Sequence, residues 1–96
     1  MKNILEVYEL RFIWHTFWFM AGRVLEEDIR VGQTIQPNLP NTDKPKFTIM
    51  ALETYGHALS EISYGISCQM LVQVPLSSDD DLAKELPKTF FMKAGS

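Results

Sequence analysis

The sequence predicts an all-β domain, a small barrel or sandwich, on three observations. Apolar and polar residues alternate with a period of two in several short runs. Glycine and proline punctuate those runs. No strand-like run is followed by the long helical pattern that a βαβ unit requires. The 96 residues, 46% hydrophobic and 11% aromatic, are enough for one core, because a second would need roughly 50 residues more. The same composition is that of a folding chain rather than a disordered or fibrous one.

The elements follow in order. Residues 5–12 alternate, with Tyr8, Leu10 and Phe12 on one side and Glu9 and Arg11 on the other, which predicts a first strand. Residues 16–25, rich in aromatic and β-favouring types, predict a second that ends in the acidic turn Glu26-Glu27-Asp28. Ile29 and Val31 resume the alternation, Gly32 permits a kink, and Thr34-Ile35-Gln36 is a short strand. Residues 37–45 hold three prolines, two asparagines and an aspartate, the composition of a surface loop. Residues 47–55 form a long strand with few charges, expected to be covered on both sides, with Phe47, Ile49, Ala51 and Glu53 on one face and Thr48, Met50 and Leu52 on the other. Residues 56–64 read as a connection and 66–74 as a strand stopped by Pro75. Ser77 and Ser78 can cap a short helix over 79–86, whose first-turn carboxylates are Asp79, Asp80 and Asp81 and whose stop is Pro87. Residues 89–92 are a last strand.

Charge and chemistry remove several function classes. With 12 acidic and 9 basic side chains the net charge is −3, and the scattered Lys and Arg make no phosphate-binding face, which argues against nucleic acid and anionic membranes as partners. The apolar run 13–22 is too short to span a bilayer, and Glu6 and Glu9 precede it where a signal peptide is cationic. The single cysteine, Cys68, excludes an intramolecular disulfide, and a reducing, cytoplasmic setting is expected.

The residues Ala21-Gly22-Arg23-Val24-Leu25-Glu26-Glu27-Asp28-Ile29-Arg30-Val31-Gly32-Gln33-Thr34-Ile35 resemble the hairpin of the second domain of translational GTPases such as elongation factor Tu, where Gly-Arg-Val, a turn and Ile-Lys-Val-Gly-Asp follow one another. The likeness continues through Leu52-Glu53-Thr54-Tyr55 and Leu59-Ser60-Glu61-Ile62-Ser63-Tyr64-Gly65, and 86–92 loosely match the closing segment. Glu27 replaces a usual turn glycine, Ile66 the Asp after Gly65, and Gln69 another common glycine. The resemblance implies a small antiparallel six-stranded β-barrel of the translation-protein type, here expected as a stand-alone domain, to which the residues themselves add the one short helix near the C-terminal end. In that family the barrel is an interaction platform. Gly-x-x-x-x-Gly-Lys-Ser/Thr occurs nowhere in the chain, so nucleotide hydrolysis is not implied.

Each candidate for chemistry has a plainer reading beside it. The aromatics Phe12, Trp14, Phe17, Trp18 and Phe19 could stack bases, but alternation turns about half of them inward, where a small barrel needs large side chains. His57 with Glu53 and Glu61 has the spacing of a metal triad only on a helix, and the segment reads as a loop. Cys68 lies mid-strand, where a thiol is a small buried hydrophobe rather than the partner of His15 in catalysis. The acidic clusters read as a solvated turn and a helix start, or together as a face for a basic protein.

No catalytic constellation, cofactor or metal site is expected. The favoured function is a non-enzymatic module that binds a protein. The alternatives are an inhibitor or immunity-type protein that blocks a basic toxin or nuclease, and an RNA- or ribosome-associated translation accessory. The expected contact surface has two parts: Trp18 turned outward with Tyr55 and His57 near its rim, and the proline-stiffened loop carrying Asn38, Leu39, Asn41 and Asp43.

Overall fold

A computed structural model describes residues 3–39, 46–75 and 89–95 of the chain. The chain opens with an antiparallel hairpin of its longest strand, β1 (Asn3–Trp14), and β2 (Phe17–Val24). β2 alternates cleanly: Trp18, Met20, Gly22 and Val24 are buried, while Phe17, Phe19, Ala21 and Arg23 lie on the other face. β1 does not. Leu5 and Val7 pair with Val24 and Gly22 and point inward, yet Glu9 pairs with Ala21 and Leu10 with Met20, so a bulge at Tyr8 moves the inward set from odd to even positions. The expected grouping of Tyr8 with Leu10 and Phe12 breaks at that bulge. Gly22 sits where the two strands press together: a Cβ there would collide with the Glu6 carbonyl oxygen and come within 3.1 Å of the Val7 Cα.

β2 pairs along its whole length with β8 (Ser67–Gln73), and β8 pairs in turn with β5 (Phe47–Thr54). β5 also bulges, between Ile49 and Ala51, so Phe47, Ile49 and Leu52 are buried while Met50, Ala51 and Glu53 are exposed. The expected strict alternation therefore fails at Met50, and the strand is covered on one side rather than both. β4 (Thr34–Pro37) pairs with β5 on one side and with β9 (Phe90–Ala94) on the other, and β9 pairs with β1. The order β4-β9-β1-β2-β8-β5 thus returns to β4, a closed cycle of six antiparallel strands, with β6 (His57–Leu59) appended to β5. Leu5, Met20, Ile35, Phe47, Val72 and Met92 converge inside it, all but fully buried; burying each such side chain is worth about 1.5–3 kcal/mol.

Residues 56–64 are more than a connection. They hold β6 and β7 (Glu61–Ile62), and β7 pairs with β3 (Ile29–Arg30) in a separate two-stranded sheet. Ile29 and Ile62 face each other there and are buried, which explains why so short a pairing persists. Gly32, at φ 93°, makes the expected kink, and its N–H donates to the Ile49 carbonyl at 2.7 Å. The helix expected over 79–86 and the cluster Asp79-Asp80-Asp81 lie outside the described residues, as do 40–45 of the proline-rich loop.

Candidate functional site

The outer face of β2, β8 and β5 is laid out in rows by their register. Phe19, Leu71 and Ala51 stand side by side in one row; Ala21, Gln69, Glu53 and Ala58 make the next; Arg23 and Ser67 begin a third. The first row is apolar and the second mostly small or polar. Beyond the first row the β1–β2 hairpin continues to its turn at His15 and Thr16, where Trp14 stacks on Phe17 with rings parallel within 2°. Ile13 and Trp14 are half and two-thirds exposed. Arg11 lies with its guanidinium 4.4 Å above the Phe19 ring and its Nε 3.4 Å from Glu9 Oε2, so its charge is already engaged.

Two depressions open on this face. One, of about 210 Å³, has Ile13 and Phe19 on one side and Ala51 and Leu71 on the other. The second, of about 370 Å³, lies against Tyr55, Gly56 and Ser67. Both are lined by Glu53 and Gln69, which makes them neighbours across a shared wall.

The end of the second depression is the β5–β6 turn. Thr54 and His57 are the flanking pair, and Tyr55 and Gly56 are its two central residues, at φ 51° and 79°. Two positive φ values are those of a type I′ turn, which favours Asn-Gly or Asp-Gly. A tyrosine in the left-handed region costs about 1 kcal/mol. Its side chain recovers nothing by burial, being 89% exposed. The turn is anchored below by the Thr54 hydroxyl, which donates to the Ser67 carbonyl at 2.8 Å.

The expected contact residues do not assemble as the sequence suggested. Trp18 points inward and is only 2% exposed, with its ring edge-on to Phe12 at 5.8 Å. It sits opposite Phe12 and Val72 in the ladder, on the side that fills the core, so it forms no outer platform. Asn38 and Leu39 are half-buried: Asn38 donates from its amide side chain to Asn3 Oδ1 at 2.6 Å and from its backbone to the Phe91 carbonyl, and Leu39 packs against the core. Asn41 and Asp43 lie outside the described residues. Tyr55 and His57 are exposed, but at the far end of β5 from the loop. Phe47 pairs with Ile35 next to the loop, whereas Thr54 pairs with His57, about 23 Å along the strand.

Leu71, Ala51 and Gln69 go unmarked in the sequence as residues of this face, while Phe19 and Glu53 enter it only through the base-stacking and metal-triad readings. The signal for Phe19 was present, since alternation from Trp18 puts it on the opposite face. Ala51 and Glu53 became outward only through the bulge at Met50, for which the sequence has no local mark.

Cys68 is 5% exposed, and burial pushes its thiol up to about 11. It pairs with Gly22, whereas the turn bearing His15 adjoins the Phe17–Gln73 pair, about 16 Å further along β8. Among the described residues no three His, Cys, Asp or Glu side chains are grouped to hold a metal, and Glu53 faces Ala58 rather than His57 across the β5–β6 pair. No helix of the described residues is long and apolar enough to cross a membrane. No protein-family profile matches the chain, and no curated protein matches its sequence.

Proposed function

We propose that the chain is a non-enzymatic protein-binding module built on a six-stranded barrel like the second domain of translational GTPases. The closed order β4-β9-β1-β2-β8-β5 supports the barrel, and the run Gly22-Arg23-Val24 with Ile29-Arg30-Val31-Gly32 supports the likeness. One observation carries the binding reading: Tyr55 occupies a turn position that disfavours it, gains no burial there, and stands at the mouth of the 370 Å³ depression. Residues held in the left-handed region cluster at functional sites, and an exposed tyrosine supplies a large amphipathic contact surface. The unneutralised acid beside it, Glu53, favours a partner that is basic at the contact, which is also what an inhibitor of a basic toxin or nuclease would require.

The test is a photoreactive amino acid at position 55, with a second variant carrying it at exposed position 46 as control. The reading expects a protease-sensitive adduct at 55 and none at 46, reproduced when the captured protein is purified and added alone. An adduct destroyed by ribonuclease instead would establish the translation-accessory reading, and no adduct would remove Tyr55 from any interface.

A further inference from the structure

The geometry points to a peptide-recognition groove for an extended segment of the form apolar–x–basic, a deepening that rests on the protein-binding reading above. The two depressions share Glu53 and Gln69, so a peptide laid over β8 and β5 crosses both as one track. Its first half is apolar, between Ile13 and Phe19 on one side and Leu71 and Ala51 on the other. Its second half is mixed, with Thr54, Tyr55, Ser67 and Gln69 around the carboxylate of Glu53.

Spacing fixes the motif. The Leu71–Ala51 pair and the Gln69–Glu53 pair lie two residues apart along β8, about 6.6–6.8 Å. Side chains on one face of an extended peptide repeat at that same interval, so a peptide lying parallel to β8 places residue i over the apolar row and residue i+2 over Glu53.

Charge selects the second residue. Glu53 is exposed, and no basic side chain among the described residues is recorded in an ion pair with it. Of the cations on this face, Arg11 is already held by Glu9 and the Phe19 ring. Arg23 is nearer, two strands from Glu53 and one row on, beside Ser67, and no ion pair among the described residues joins it to Glu53. A lysine or arginine at i+2 meets an available carboxylate, while an acidic residue there is repelled, in keeping with a chain of net charge −3.

The experiment titrates the labelled full chain with the peptide acetyl-Gly-Leu-Ser-Arg-Gly-amide and follows methyl and amide shifts. The inference expects saturable shifts confined to the Leu71 and Ala51 methyls and the Gln69 amide. It expects binding about two- to fivefold weaker when the arginine is replaced by glutamate, the range of an exposed ion pair. Glu53→Gln, an exposed and therefore fold-neutral change, should erase that preference while leaving the methyl shifts in place. Shifts that are absent or scattered over the surface, equal binding of the two peptides, or a preference that survives Glu53→Gln would each overturn it. A protein adduct at position 55 without peptide shifts defeats the motif and leaves the binding reading standing; peptide shifts without such an adduct defeat the binding reading at Tyr55.

Discussion

Gly22 of β2 lies against the Glu6 carbonyl of β1 with no room for a Cβ. The contact is backbone to backbone, beside the bulge at Tyr8 that reverses which residues of β1 face inward. Ladder register and bulge are set together at this point, since Val7 pairs with Gly22 and Glu9 already with Ala21. Gly22→Ala is therefore expected to cost about 1–3 kcal/mol, the range for overpacking a site that cannot relax. Chemical denaturation of the two proteins measures it. A loss under about 0.5 kcal/mol, the size of an ordinary surface change, would mean that the strands part easily here.

The two tryptophans separate core from surface. Trp18 is buried against Phe12 and beside Val72, whereas Trp14 is 68% exposed and stacks on Phe17 at the hairpin turn. Trp18→Ala should cost about 3–5 kcal/mol. Trp14→Ala should stay within about 1.5 kcal/mol, the worth of a surface aromatic pair. Fluorescence quenching by acrylamide in the single-tryptophan variants gives a second reading, with the variant retaining Trp14 quenched readily and the one retaining Trp18 protected.

Cys68 is buried in β8 and its thiol is pushed from near 9 to about 11 by loss of solvation. The thiolate is the reactive form, so a thiol-titrating disulfide reagent at pH 8 should react slowly with the native chain and at once in denaturant. Because the folded pKa is the higher one, the native state holds its proton where the unfolded state has released it. Its contribution to stability is whole below about 9 and is lost as pH climbs toward about 11. Denaturation midpoints that do not fall over that interval in the wild type more than in Cys68→Ala would contradict this.

Much of the fold was legible because alternation records the environment of a strand directly. β2 alternates as its sequence does, with Trp18, Met20 and Val24 on one face and Phe19, Ala21 and Arg23 on the other, and Gly32 and Pro75 mark breaks that the chain respects. Parity was lost at Tyr8 and Met50, where one extra residue in a strand shifts everything after it. β6 and β7 were missed since three exposed residues and a two-residue pairing leave no periodic signal; only the buried Ile62 betrays them. Of the candidate site, Tyr55 reads from sequence as the end of the long strand and His57 as part of the connection after it; both are exposed, Tyr55 in the β5–β6 turn and His57 beside it. Trp18 was misplaced because the choice of which face turns inward depends on its neighbours β1 and β8, not on its own strand.

Tyr55 joins a local cost to full exposure, and the binding reading depends on that pairing. The most direct measurement is Tyr55→Asn, a residue suited to the same turn geometry, examined for stability and for affinity toward the protein captured at position 55. The variant should gain about 1 kcal/mol, a rise of about 4–8 °C in melting temperature for a domain of this size, while binding at least about tenfold more weakly, as loss of an aromatic anchor does. A variant that binds as tightly as the wild type, or that melts lower, would contradict a tyrosine kept there for contact.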